Sequence, residues 1–524
     1  MTPPQQHIGR PRPRAGTGRV RRVALIGVVS VLALGLAACG SRLNGTALTM
    51  AEGSGSGGGT GTVGGGAGQS LSASPSGTTP AAGPAVGSTG GSAGTAGSAG
   101  TAGTAGSSGS AGGSGTAGSS GAATTAAGGA APAAAAACNA SNNGGASDVG
   151  VTANQITIGN IASISGVAPG LTQSAQQATV ALADYVNSQG GICGRMLKVA
   201  PYDDQNDAGQ NSADATQACS SNFALVGSAS GFDNGGASAI SGCGIPDVAA
   251  ELSTHEMGNV ATSFGASPGN AHYWSTGPAV YLKSKYPGAV TNAAMIYLNV
   301  PATQEQAASE MSAYQSVGFK YTYVTAVSPT EPNYAPYVAK MQSANVQYVS
   351  EYSDDNSAAR LVQAMAQANF SPTVVDFFSE EYSANFLAES QGDANNALVL
   401  MATAPYEEAS SNPGLQLMES WLNRVAPNAH HDIFAEFAWS AGLAFVQAAR
   451  AVGPHLTRAA LIAQLKQIGT WDGGGVQPPD TNFGQKIPSN CFAYFKINGS
   501  SGYSRVDPAG AGHYDCTSGS LVHY

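Results

Sequence analysis

Five short stretches hold the side chains best placed to do chemistry, and each follows an apolar run. Three are rich in hydroxyls: Ser163-Ile164-Ser165-Gly166, Ser228-Ala229-Ser230-Gly231-Phe232-Asp233 and Glu251-Leu252-Ser253-Thr254. Two carry acids: Tyr352-Ser353-Asp354-Asp355 and Ser379-Glu380-Glu381-Tyr382. Hydroxyls, together with amides at a helix N-terminus, suit a carboxylate. Acids suit an ammonium group. The candidate binding residues are therefore Ser165, Ser228, Ser230, Asp233, Ser253 and Thr254 in the first set, and Tyr352, Asp354, Glu380 and Glu381 in the second. Ser228 and Ser230 also read as plain loop serines, and Asp203-Asp204 reads most simply as a cap on the next helix.

Bond-making chemistry has less support. There is no H-E-x-x-H pair and no phosphate loop, and His255-Glu256 lacks a second histidine. His430-His431 reads as a solvated helix start rather than a metal pair. No metal, cofactor or catalytic residue is assigned, and the chain is not read as an enzyme. A secreted hydrolase with a motif-free site stays open as a third reading.

These stretches need a scaffold, and apolar periodicity supplies one. Residues 156–161, 196–202, 223–227 and 245–249 read as strands, separated by helices at 172–189, 209–218 and 235–241. Gly190-Gly191 stops the first helix. A second series has strands at 293–298, 321–327, 346–352, 373–378 and 397–402, with helices at 304–317 and 357–369 and another between 327 and 346. Helices at 434–452 and 458–468 follow, then β-like pieces including 491–497. Strands alternating with helices at this spacing predict an α/β protein with two doubly wound parallel sheets. Phe434, Phe437, Trp439 and Phe445 on the long late helix, and Met295, Met311 and Met341, are expected in the core.

Composition limits where this globular part lies. The chain has 524 residues, 71 of them glycine, and the glycines crowd the first third. Residues 1–38 read as an export signal: six arginines between Arg10 and Arg22, then an apolar run ending Leu36-Ala37-Ala38-Cys39. Small residues before a cysteine resemble a bacterial lipobox, which makes Cys39 the expected lipidation site. Residues 39–137 are almost wholly Gly, Ala, Ser and Thr, too poor in apolar surface to fold, and read as a disordered tether. Its span is on the order of 50–60 Å root-mean-square. The formal charge of −10 argues against nucleic acid, and removing the six signal arginines lowers it to −16. Six cysteines remain after Cys39: Cys138, Cys193, Cys219, Cys243, Cys491 and Cys516. An even set in an exported chain suggests disulfides.

The string GGICGRMLKVAPYDDQND, the serines of ALVGSASGFDNGGA and the stretch CGIPDVAAELST resemble the type I periplasmic binding proteins. More narrowly they resemble the Leu/Ile/Val-binding branch, the solute receptors of ABC importers, in an actinobacterial lipoprotein version. The resemblance runs from about Ile156 to Pro508 and takes in Ala438-Trp439 and the W-x-G-G-G stretch at Trp471. It implies two lobes, residues 138–275 with 404–475 and residues 276–403 with part of 476–524, joined by three hinge crossings. The crossings would lie near residues 271–278, 403–406 and 473–478, with Tyr273 and Trp274 walling the cleft. A small solute would close the cleft, and ABC permease subunits would read the closed form at the extracytoplasmic face of the cell membrane. The family's ammonium-binding glutamate falls on Glu381, with Glu380 one slip away. Asp233 and Glu251 depart from the family pattern and point to a more cationic or polar solute than leucine.

In a 2-1-3-4 strand order, Cys138 and Cys193 enter neighbouring strands, as do Cys219 and Cys243. The expected pairs are Cys138–Cys193, Cys219–Cys243 and Cys491–Cys516, with Cys193–Cys219 as the runner-up. A sensor of the same fold that feeds a membrane signalling protein is the alternative to an importer receptor.

Overall fold

The computed structural model describes residues 138–267, 272–427, 429, 432–479 and 482–524. The expected export signal, Cys39, the tether, the 271 end of the first crossing and His430-His431 lie outside the described residues.

The first series builds β1 (Gln155–Ala162), α1 (Gln173–Ser188), β2 (Met196–Asp203), α2 (Ala208–Ser221), β3 (Ala224–Val226), α3 (Asn234–Cys243), β4 (Asp247–Ala249), α4 (His255–Gly258) and β5 (Ser263–Gly265). The five strands are parallel in the order β2-β1-β3-β4-β5. This order puts the ends of β1, β2, β3 and β4 side by side, which is what brings their polar loops together. The helix α4 and the edge strand β5 were not anticipated, because both are too short to show a period.

The second series builds β6 (Tyr273–Ser275), α5 (Gly277–Lys285), β7 (Ala293–Leu298), α6 (Pro301–Val317), β8 (Tyr321–Val327), α7 (Ala335–Ser343), β9 (Tyr348–Tyr352), α8 (Asp355–Gln367), β10 (Val374–Phe377), α9 (Ala384–Glu389) and β11 (Leu398–Met401). The chain then returns beside the first sheet as α10 (Pro413–Val425), α11 (Ile433–Val452) and α12 (Arg458–Leu465). It ends with β12 (Ala493–Ile497), β13 (Tyr503–Asp507) and β14 (Leu521–His523). The second sheet runs β13-β12-β11-β10-β9-β7-β8. Strands β7 to β11 are parallel, whereas β12 and β13 join antiparallel at one edge. The tail pieces are thus part of the second sheet, and β14 pairs with β6.

Capping residues set the helix starts. Asp354 accepts from Asn356 N and Ser357 N at α8, Ser383 from Phe386 N at α9, and Asp432 from Ala435 N at α11. The helix α11 is apolar on nearly every side because it is buried between α1 and the first sheet. Phe437, Trp439 and Phe445 are at most 2% exposed, as are Met295 and Met341. Met311 is partly buried against the second lobe's core. Among the described residues, no helix is long and apolar enough to cross a membrane.

The turn between α1 and β2 shows how local chemistry fixes the frame. Gly190, Gly191, Cys193 and Gly194 all have positive φ. A Cβ on Gly191 would stand 2.1 Å from Arg195 O, so glycine is required there. Cys193 is bonded to Cys138, and the other pairs are Cys219–Cys243 and Cys491–Cys516, as expected. Arg195 is fully buried and binds carbonyls rather than an acid: Nε donates to Thr152 O at 2.8 Å and Nη2 to Gly145 O at 2.8 Å and to Asn143 O. It therefore ties the N-terminal segment to the sheet. Replacing Arg195 with Met would strand those carbonyls, and urea unfolding is expected to show a loss of about 2–4 kcal/mol.

Candidate functional site

The loops at the carboxyl ends of the first sheet are held by three aspartates. Asp203 accepts the Ser165 hydroxyl at 2.6 Å and the amides of Ile164, Ser165 and Gln205 at 3.0–3.1 Å. Burial would raise its pKa, but these hydrogen bonds outweigh it and hold the carboxyl below its usual value. Asp204 is fully buried. It accepts Ser163 Oγ at 2.8 Å, Asn206 N and Asn211 Nδ2 at 3.0 Å, and the Ser230 hydroxyl. Asp233 accepts Ser253 N at 2.7 Å and Thr254 Oγ1 at 2.6 Å. Burial keeps its pKa well above the usual carboxylate range.

This arrangement corrects two expectations. The cap of α2 is Asp207, which accepts Gln210 N; Asp203 and Asp204 instead brace the loops across β1, β2 and β3. The hydroxyls of Ser165, Ser230 and Thr254, read as donors for a ligand carboxylate, already donate to protein carboxylates. Sequence distance hid this, since Ser230 and Asp204 meet only because β3 is laid beside β1.

The second sheet presents acids. Asp354 caps α8 through its side chain. Asp355 accepts the Ser383 hydroxyl at 2.8 Å, and burial lifts its pKa to about 7. Glu380 and Glu381 follow β10 on a short 3-10 turn. Tyr503 pins this turn, its hydroxyl lying 2.7 Å from Glu381 O and 2.9 Å from Ser383 O. Tyr503 sits about 120 residues away on β13, and nothing in its local sequence marks it.

Two cavities lie where the faces meet. The larger, of about 350 Å³, is lined by Leu171, Asp354, Asp355, Glu380, Asp432 and Phe434, among others. The smaller, of about 60 Å³, is lined by Ser230, Glu251, Ser253, Tyr352, Glu380 and Phe434, among others. Of the candidate residues, Ser230, Ser253, Tyr352, Asp354 and Glu380 therefore reach the cleft. Ser165, Thr254 and Glu381 line neither cavity. Ser228 and Asp233 line a void of about 20 Å³ within the first sheet's loops. Tyr273 and Trp274 border a small apolar cavity with Phe378, Leu400, Phe492 and Leu521. Tyr273 is drawn there by β6–β14 pairing, with its ring 4.7 Å from His523. Phe434, expected only in the core, also walls the cleft, as does Asp432; their only advance signal is the helix start at that point.

Contacts at the cleft join the two faces. Glu251 accepts Gln306 Nε2 at 3.1 Å, Gly231 O accepts Ala302 N at 3.3 Å, and Glu305 accepts His255 N at 2.6 Å and lies 2.9 Å from His255 Nδ1. Burial raises the Glu251 pKa to about 7, partly offset by Ser253 and Gln306. Glu380 is pushed well above its usual value by burial and by Glu251 opposite. Behind it, burial and Glu351 raise Glu381, and burial takes Glu351 to about 8.

Two doubly wound sheets, three passages of chain between them and a cleft at their strand ends define a bilobal solute-binding fold. The periplasmic binding protein family matches residues 155–502, and the chain belongs to that family. Its fold is the type I form. Solved structures with this fold include a fatty acid ABC transporter substrate-binding protein from Thermomonospora curvata (16% identity, 70% of this chain and 94% of that one, TM-score 0.61). Another is LivJ, a branched-chain amino acid transporter substrate-binding protein from Streptococcus pneumoniae solved with isoleucine (14%, 68% and 100%, 0.57). A third is the leucine-binding protein LivK from Thermotoga maritima (9%, 67% and 97%, 0.57). A search of curated protein sequences finds no match.

The raised carboxyls give a pH dependence whose sign follows from linkage. Glu251, Glu310 and Asp355, at about 7, hold protons in the folded state that the unfolded chain releases near its usual 4.5 or 3.8. The folded state binds more protons across that window, so stability is greatest below it and falls as pH rises through about 7. Melting of the solute-free protein is expected several degrees higher at pH 5 than at pH 8, at about 2 °C per kcal/mol for a body this large. A flat or reversed profile by calorimetry would contradict the burial of these acids.

Proposed function

We propose that the protein is the solute receptor of an ABC importer, a binding protein and not an enzyme. Residues 138–275 with 404–475 form one lobe and residues 276–403 with part of 476–524 the other, and the three crossings act as hinges. The observation that carries this reading is the cavity of about 350 Å³ lined by loops of both sheets, a volume within the range of small-molecule sites. Glu305 and Gln306 on α6 clasp the first lobe, so closure forms contacts that a permease can read. Cleavage before Cys39, lipidation of that cysteine and the Gly/Ala/Ser/Thr tether would hold the body at the extracytoplasmic face of the cell membrane. The solute is small and polar or amino-acid-like.

A thermal-shift screen of amino acids, amides and small organic ions, followed by small-angle scattering, tests this reading. A binding solute is expected to raise the melting temperature and reduce the radius of gyration; if no solute in the screen does either, the receptor reading fails. Replacing Glu305 with Ala removes the clasp to His255. It is expected to enlarge the solute-free protein in scattering and weaken the solute roughly threefold to tenfold, since the closed population falls.

A further inference from the structure

We propose that the cleft takes a small organic cation without an α-carboxylate, an amine or guanidine whose charged group sits between Glu251 of one lobe and Glu380 of the other. This names the solute class of the receptor reading above and rests on it.

Four observations carry it. Glu380 lines both cavities, and its Oε2 is buried without a hydrogen-bond partner. Directly behind it, Glu381 is 1% exposed, and only the neighbouring acid Glu351 reaches its carboxyl. An unpartnered buried acid aimed into a cavity asks for a donor or a cation. Second, acids from both lobes line the cleft, namely Glu251, Asp354, Asp355, Glu380 and Asp432, while no lysine or arginine among the described residues lines either cavity. Asp354, Asp355 and Asp432 already accept protein donors, which leaves Glu380, facing Glu251, as the less committed charge. Third, five of the donors that could hold a ligand carboxylate are engaged: Ser163 and Ser230 on Asp204, Ser165 on Asp203, and Thr254 and the Ser253 amide on Asp233. A solute carboxylate would displace a buried aspartate or meet Glu251. Fourth, Leu171, Phe434 and Tyr352 supply apolar and aromatic walls, which suit the body of an organic cation more than a bare metal ion.

Closure follows from the same pair. Without a cation, Glu251 and Glu380 meet only by holding protons, as their raised pKa values show; with a cation between them both carboxyls ionise and are drawn to it. The formal charge of −10 adds a field that gathers cations at the mouth.

The test is calorimetric titration of the protein at pH 8 with 1,4-diaminobutane, agmatine and leucine. At least one of the two amines is expected to bind with a dissociation constant below about 100 µM (~−5.5 kcal/mol), to weaken as salt rises, and to outbind leucine at least tenfold. Glu380→Gln, nearly isosteric, is expected to weaken amine binding tenfold or more while melting no lower than the parent. Glu380→Lys would place a cation against Glu251, so it is expected to abolish amine binding and to compact the solute-free protein in scattering. Tighter binding of leucine than of either amine, or amine binding unchanged in Glu380→Gln and Glu251→Gln, overturns the cation assignment and leaves the receptor reading intact. Binding of none of the three overturns the cation assignment, and the broader solute screen then decides the receptor reading separately.

Discussion

A carboxylate removed from water must find donors, a proton or a cation, and this constraint organises both sides of the cleft. In the strand-end loops of the first lobe the requirement is met from within. Asp203, Asp204 and Asp233 gather hydroxyls and amides from four loops and lock the strand ends of β1 to β4 into one surface. In the turn after β10 on the second lobe it is not met: Glu380 Oε2 and both carboxylate oxygens of the buried Glu381 are buried without a hydrogen-bond partner. The cleft is thus lined by satisfied loops on one side and by the less committed Glu380 on the other.

The fold makes this division possible. A parallel sheet with helices on both sides leaves its strand ends as the one place where polar loops can collect without burying unpaired backbone. The late return of α10 to α12 to the first sheet brings Asp432 and Phe434 into the cleft from about 170 residues beyond that sheet's last strand. The same return packs α11 against α1, with Tyr185, Trp421 and Trp439 in ring contact, so the first lobe's core depends on chain that has already visited the second. Tyr503, arriving later still, fixes the Glu380-Glu381 turn. The cleft is thus built from segments distant in the described chain.

The position of the candidate residues in the fold was legible in part. The loops were found because each follows an apolar strand, and Ser230, Ser253, Tyr352, Asp354 and Glu380 do line the cleft. The partners of those loops were not legible. Ser165, Ser230 and Thr254 carry the same hydroxyl whether it faces a ligand or a protein aspartate, and only register decides. Tyr273 was placed at the cleft by its crossing, yet β6 pairs with β14, a strand too short and too remote in sequence to predict. Nothing in the local sequence of α6 marks Glu305 and Gln306 as clasp residues, since their partners His255 and Glu251 lie about 50 residues away.

What the sequence determined by itself is local and periodic: strand and helix alternation, the glycine stop at Gly190-Gly191, and, through strand order, the pairs Cys138–Cys193 and Cys219–Cys243, which leave Cys491 for Cys516. These follow from backbone geometry and near neighbours, which a single chain carries in its order of residues. Which acids are satisfied and which stand open was decided only by tertiary structure. That outcome depends on which loops the 2-1-3-4-5 sheet sets side by side, and on how the second sheet closes over them. Hydrogen bonding is satisfied across distances of tens to hundreds of residues, and so the chemistry of the cleft belongs to the fold rather than to any one stretch of it.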